Sequence, residues 1–306
     1  MTRSADIRIS IVIPHLNQSE FLERCLFSLN PQILAMQGVE IIVVDNGSRE
    51  LPVALCDRHP TVRLETEARP GPGLARNRGI AVARGKLLAF IDADCLAHEN
   101  WLATFEKEFA TNPATLIVGG EVRIGLADLA RPTMLEAYES VFAYRQGEYI
   151  EKQGFSGTGN LAMRRDAFIQ VGPFAGIEIA EDRDWGHRAG QKGLKIKYLP
   201  DMIVYHPARK TFDELRSKWD RHMSHDYKET GTGLGARLKW IGLSIAVAAS
   251  SIIDIRKVIA SKRIASWRER VLASAMLIKI RLYRAWKMLG LMMPNSQQSS
   301  RMWNRQ

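Results

Sequence analysis

Leu87-Leu88-Ala89-Phe90-Ile91-Asp92-Ala93-Asp94-Cys95 decides the fold of this chain. Five apolar residues in a row have the length of one strand buried on both faces. The run stops at two carboxylates separated by one small residue. A buried parallel strand that ends in acids delivers them at the carboxyl edge of a sheet, where open α/β folds bind ligands. Two hard oxygen ligands there suit Mg2+ or Mn2+ shared with a diphosphate. Taken alone, the same stretch is also what an ordinary strand and an acidic turn look like, so its neighbours decide.

Upstream, residues 7–13 alternate and then run apolar, which predicts a first strand stopped by Pro14. Phe21, Leu22, Cys25, Leu26 and Leu29 form one helical face, capped by Asn17 or Ser19. Residues 39–44 predict a second buried strand, again followed by an acid and turn residues, Asp45-Asn46-Gly47-Ser48. Residues 62–64 predict a third. Arg69-Pro70-Gly71-Pro72-Gly73 must be a loop, and a helix carrying Arg76, Asn77 and Arg78 follows it. Downstream, residues 96–109 and 134–149 read as helices, 116–122 and 161–163 as strands. Helices at 168–174 and after Trp185 precede two last strands, 194–198 and 202–206.

Alternating strands and helices with acids at several strand ends describe a doubly wound nucleotide-binding sheet. The dinucleotide fingerprint is missing, because Gly71-x-Gly73 does not directly follow the first strand and Gly79 stands at the wrong spacing. There is no Walker A sequence either.

The 306 residues suffice for one large domain or for a domain with an appendage, and 46% hydrophobic with 25% charged residues fits a globular protein. The formal charge of +10 is unevenly spread. Residues 207–306 hold about 20 Lys and Arg against about 7 Asp and Glu, roughly +13, which leaves the rest at about −3. Three widely spaced cysteines without metal spacing point to a reducing compartment, and the first ten residues carry no secretory h-region.

Five blocks then resemble, in order, family 2 glycosyltransferases. They are IVIPHLNQSEFLERCLFSL (11–29), EIIVVDNGS (40–48), RPGPGLARNRGIAVARGKLLAFIDADC (69–95), GTGNLAMRRDAFIQVGPF (157–174) and AEDRDWGHRAGQKG (180–193). The resemblance implies an inverting, metal-dependent enzyme with the GT-A fold, a Rossmann-like mixed sheet flanked by helices. It covers about residues 8–206. It implies that Asp45 accepts a hydrogen bond from the nucleobase, that Pro14 and Asn17 line the nucleoside pocket, and that Arg76 and Asn77 border base and ribose. Asp92 would contact the ribose. Asp94 and His206 would bind Mn2+ or Mg2+, and Arg209 would support the phosphates. Asp182, beside Glu181, would be the general base. Asn160 and Trp185 would face the acceptor, the indole offering a flat surface for a sugar. The Gln-x-x-Arg-Trp block of processive relatives is absent, since the region reads Lys218-Trp219-Asp220-Arg221. One sugar per encounter is therefore expected.

The expected organisation is a catalytic domain over 1–210, a basic helical extension over 211–293 and a disordered tail over 294–306. Residues 240–253 are apolar but fall short of the roughly 20 needed to span a bilayer. Basic charge and apolar runs coincide there, with Trp240, Trp267 and Trp286, so the extension reads in first place as a peripheral membrane-interface element, with packing of its apolar helices on the catalytic domain as the alternative. Nucleic acid, the rival partner for positive charge, has no supporting recognition motif. The whole then reads as transfer from a nucleotide-sugar, in first place a UDP-sugar, to a glycan or lipid-linked acceptor in cell-surface polysaccharide assembly, at the cytoplasmic face of the membrane. A catalytically silent nucleotide-sugar-binding scaffold is the alternative. A nucleotidyltransferase would need a basic, glycine-rich loop where Pro14-His15-Leu16-Asn17 stands.

Overall fold

A computed structural model describes residues 7–292 except 129 and 232. The expected disordered tail lies outside the described residues. In chain order the elements are β1 (Ile9–His15), α1 (Ser19–Ala35), β2 (Val39–Asp45), α2 (Val53–Asp57), β3 (Val62–Thr66), α3 (Pro72–Val82), β4 (Leu87–Ile91), β5 (Leu96–Ala97), α4 (Trp101–Thr111) and β6 (Ile117–Gly125). There follow α5 (Met134–Phe142), α6 (Gln146–Gln153), β7 (Asn160–Arg164), α7 (Arg165–Val171), α8 (Glu181–Gln191), β8 (Ile196–Pro207), α9 (Phe212–Thr230), α10 (Leu234–Ala260) and α11 (Trp267–Gly290).

Among the described residues eight strands form one sheet in the order β3-β2-β1-β4-β7-β6-β8-β5. The first half is parallel, with β1 between β2 and β4, and the second turns antiparallel at β7. Strand alternation sorts the core. Ile9, Ile11, Ile13, Ile41 and Val43 point to the face covered by α1 and α4, where Leu22, Leu26, Trp101 and Phe105 are buried. Val12, Ile42, Val44, Leu88 and Phe90 point to the other face, against Ala75, Ile80, Phe174 and Trp185. Burial on both faces is why these strands are continuous apolar runs.

The chain divides into two compact units. Residues 1–123 and 144–207 form the first, and 124–143 with 208–306 the second. The expected boundary at 210 falls three residues early, and α5 belongs to the second unit although it is far from it in sequence. Other expectations shift too. Pro14 does not stop β1, because it occupies a register position opposite Val44 and the strand runs on to His15. The single helix expected over 134–149 is two, α5 and α6, parted where Tyr144 takes φ +47°. The two last strands are one, β8. The apolar run at 240–253 lies inside a continuous 27-residue helix, much longer than its composition suggested.

Candidate active site

The site is built on the first unit, where parallel strands end together. β4 is buried through Ile91, and the chain leaves the sheet at Asp92. Arg76, on α3, is 2% exposed and reaches both directions from there. Its Nη2 donates to Asp92 Oδ1 at 2.6 Å and its Nη1 to Glu181 Oε1 at 3.0 Å. One guanidinium thus joins the strand-end acid to the first turn of α8, the fork geometry that arginine offers and lysine does not. Arg76 Nε is buried without a hydrogen-bond partner. Backbone packs against this bridge at two glycines. A Cβ at Gly159 would stand 2.4 Å from Asp92 Oδ2, and one at Gly73 would stand 2.3 Å from the Ala175 carbonyl and 3.3 Å from Glu181 Cβ.

Asp182 sits next to Glu181, and its Oδ1 accepts from the Arg183 amide at 2.7 Å. Burial pushes its carboxyl above the ordinary aspartate range. The Arg183 amide opposes that, Glu181 adds to it and Arg76 again opposes it.

Asp94 and His206 form a second pair, with Nε2 3.4 Å from Asp94 Oδ2. His206 Nδ1 lies 2.7 Å from the Pro207 carbonyl, a contact only a protonated Nδ1 makes, so the neutral imidazole carries its lone pair on Nε2. Tyr144 Oη is 3.0 Å from that Nε2 and its ring lies over the imidazole, centroids 4.6 Å apart. Burial raises the Asp94 carboxyl, opposed by His206 and reinforced by Asp92. A carboxylate oxygen and an imidazole nitrogen with its tautomer fixed by a backbone carbonyl fit a divalent cation. Among the described residues no group of three His, Cys, Asp or Glu side chains comes together. The pair supplies two ligand atoms, and a cation held there would take its remaining positions from water and ligand oxygens.

Asp45 ends β2 opposite His15 and is only 1% exposed. Its Oδ1 accepts from the amides of Gly47 and Ser48, at 3.0 and 2.9 Å, and His15 Nδ1 lies 2.9 Å from Oδ2. The Gln18 amide donates into His15 Nε2, so Nδ1 carries the proton. Burial alone would raise this carboxyl, but Ser48, His15 and Gly47 outweigh it and hold it below its ordinary value. The carboxylate expected to meet a nucleobase is thus occupied in shaping its own loop. Asn17, at φ +53°, accepts from the Arg49 amide through Oδ1 and donates its own amide to Ser48 Oγ, which fixes the turn after the half-buried Pro14.

Four expected roles give way to packing. Asn160 is fully buried. It accepts from Trp101 Nε1 and donates to the carbonyls of Glu121 and Met202, so it clips strands together and faces no acceptor. Trp185, 1% exposed, lies among Phe174 and Ala189 with Nε1 on the Gly172 carbonyl, and offers no open face to a sugar. Asn77 exchanges two hydrogen bonds with the backbone of Phe174 instead of bordering a base. Arg209 belongs to the second unit, where its guanidinium and amide are both taken by buried Glu139.

Sequence reasoning passed over His15, Asn46, Tyr144 and Gly159. Asn46 Oδ1 accepts from the Gly71 amide while Nδ2 donates to the carbonyls of Glu67 and Arg69, which holds the Arg69–Gly73 loop on the end of β2. Its place in the Asp45-Asn46-Gly47 turn was a visible signal. The role of Tyr144 had none, since it depends on a contact 62 residues away.

The glycosyl transferase family 2 model matches residues 10–172, more than half of the chain. The chain is 33% identical over 219 residues to glycosyltransferase AglE of Haloferax volcanii, covering 69% of this chain and 70% of that protein. It is 32% identical over 264 residues to glycosyltransferase GlyG of Streptococcus pneumoniae, covering 81% and 86%. Similar folds among solved structures include mannosyltransferase PcManGT from Pyrobaculum calidifontis, in complex with GDP-Man and Mn2+. It has a TM-score of 0.55 and 18% identity, over 95% of this chain and 87% of that one. S. aureus TarS 1–349, in complex with UDP-GlcNAc, gives 0.52 and 15% over 92% and 73%. With the family model and both curated relatives in agreement, the chain belongs to glycosyl transferase family 2 and is a glycosyltransferase with the GT-A fold.

Proposed function

We propose that this enzyme transfers one sugar, with inversion, from a nucleotide-sugar to a glycan or lipid-linked acceptor in surface polysaccharide assembly at the cytoplasmic face of the membrane. The observation that carries this is the Asp92–Arg76–Glu181 bridge, which ties the donor-side strand end to the helix turn that holds Asp182. A UDP-sugar is the first donor to test, and a GDP-sugar the second, since structural neighbours hold UDP-GlcNAc and GDP-Man.

In this reading Asp182 accepts the proton of the acceptor hydroxyl as its oxygen attacks the anomeric carbon. The bond from that carbon to the diphosphate oxygen breaks, and the nucleoside diphosphate leaves on the opposite face. Asp92 holds the ribose, and Pro14 and Asn17 border the nucleoside. Asp94 and His206 Nε2 would hold Mn2+ or Mg2+, which when bound neutralises charge developing on the leaving diphosphate. The missing Gln-x-x-Arg-Trp block supports release after a single transfer.

Nucleotide release from UDP-, GDP- and dTDP-sugars with Mn2+ tests the reading, with and without oligosaccharide or polyprenyl-linked acceptors. Asp182→Asn should lower kcat by about 10²- to 10⁴-fold while nucleotide affinity stays within about twofold. Full activity in that variant would remove Asp182 as the base.

A further inference from the structure

The helix α10 is folded inside out. Its buried face carries Ser244, Ser251 and Asp254 beside Trp240 and Val258. Its open face carries Leu238, Ile245, Ile252 and Ile259, seven residues apart and 61%, 63%, 75% and 54% exposed. Leu234 and Ile253 widen that stripe. A surface helix in water has the opposite arrangement, and a continuous apolar face of this kind marks an interaction site. The hydroxyls are settled as they must be away from water. Ser244 donates to the Ile241 carbonyl, Ser250 to Val247 and Ser251 to Ala248, each at 2.7–2.8 Å.

Charge identifies the occupant. Arg237 and Lys239 stand exposed at one end of the stripe and Arg256 at the other, where the neighbouring Lys257 is paired with Asp254 at 2.8 Å. No cation lies on the open face between residues 240 and 255. Cations flanking an apolar stripe match anionic headgroups above a hydrocarbon layer. A coiled-coil partner would call for charged residues all along the heptad stripe, where Gly235, Gly242 and Ala249 stand and only the last position of that series, Arg256, is charged.

By length and composition α10 also meets the requirement for crossing a membrane. Its packing argues against crossing. Asp254 is buried against Arg281 of α11 at 2.7 Å, and Trp240 Nε1 donates to the Met288 carbonyl, so α11 lies along α10. α11 brings Lys279, Arg281, Arg284 and Lys287, and drawing that load through hydrocarbon is costly. Trp267 and Trp286, 71% and 68% exposed on α11, are side chains suited to the headgroup level.

We propose that α10 lies in the plane of an anionic bilayer, with the Leu238–Ile245–Ile252–Ile259 stripe inserted below the headgroups and α11 behind it. This deepens the membrane placement proposed above, and it holds or fails independently of the donor chemistry.

The test is flotation of the full chain with phosphatidylcholine vesicles, with and without about 30 mol% phosphatidylglycerol, while nucleotide release is followed in the same samples. Expected is binding to the anionic vesicles alone, weakened by 0.5 M salt. Ile245→Glu/Ile252→Glu should lower it at least about tenfold, and Arg237→Gln/Lys239→Gln about threefold or more, with soluble donor hydrolysis unchanged. Single cysteines at 238, 245, 252 and 259 carrying an environment-sensitive dye should report one common depth, and the three native cysteines, being buried, leave the label at those positions. No flotation, or equal flotation of the Glu variant, overturns the proposal. So does a depth that changes steadily from 238 to 259, which means a spanning helix. A vesicle-independent dimer abolished by the Glu variant assigns the stripe to a second copy and also overturns it. Loss of hydrolysis with flotation intact would instead strike the donor reading alone.

Discussion

β4 buries Leu88, Ala89, Phe90 and Ile91 and releases its polar residues only at the strand end, whereas α10 buries Ser244, Ser251 and Asp254 and turns its isoleucines outward. Both elements are apolar in sequence. The sheet places its polar groups at one edge, where each finds a partner, and the site arises from that partnership. The helix makes its apolar residues the working surface and its polar residues the packing. Hydrophobicity alone therefore does not tell core from function, and the location of paired polar groups does.

The largest effect that would break this contrast is expected at Arg76. Arg76→Gln leaves Asp92 and Glu181 without their shared cation. Losing the partner of a fully buried charge costs about 3–5 kcal/mol, and because both acids are partly open to water, about 2–3 kcal/mol is expected here. Urea unfolding of the full chain reads it. A change below about 0.5 kcal/mol would mean that the bridge forms no part of what holds the strand edge together.

Gly159→Ala comes next. The added methyl falls 2.4 Å from Asp92 Oδ2, so either the carboxylate or the loop must move. A misplacement near 1 Å at a reacting site costs up to about 100-fold, and a fall of at least about tenfold in kcat/KM for the donor is expected. Stability should change much less, because Asp92 can shift toward solvent.

A smaller effect tests the electrostatics. As the proposed base, Asp182 must be ionised to accept a proton, so activity should rise as pH rises through its pKa. Burial first, then Glu181, raise that pKa, and Arg183 and Arg76 hold it down. The acidic limb of kcat should therefore lie above the ordinary aspartate value of about 3.9. In Arg76→Gln it should move further up, since one restraining cation is gone. A limb that moves down in that variant would assign it to another group.

The strand ends were legible because five-residue apolar runs followed by acids are local signals, and β4 spans the residues read for it, Leu87–Ile91. The acids at 92 and 94 were legible for the same reason, whereas Asp182, in the first turn of α8, was singled out by the family resemblance alone. What each polar side chain faces was not. Asn160 and Trp185 stand in blocks shared with the family, yet their burial is set by Trp101, Met202 and Phe174, which no local pattern names. The same holds for His15, whose role depends on the register of β1 against β2. The length of α10 was missed for another reason. Lys239 and Arg256 looked like ends to a pattern based on hydropathy, but both are good helix formers and the backbone runs through them.

The smallest expected effect probes the exposed side of the comparison directly. Ile253 is 64% exposed on α10. Ile253→Ser exchanges a β-branched residue for one of similar helix propensity at a site with little packing to lose. In dilute buffer without lipid the unfolding free energy should change by less than about 0.5 kcal/mol, as at ordinary surface positions. A buried isoleucine in β2, Ile42, offers the contrast, where truncation to alanine costs about 2–5 kcal/mol. If Ile253→Ser instead costs more than about 1.5 kcal/mol, and the cost grows with protein concentration, the stripe is covered in solution by another copy of the chain. If the small cost appears in buffer and a larger one only with anionic vesicles, the outward isoleucines are bound to lipid, and the inversion between β4 and α10 is a difference in what each element is folded to meet.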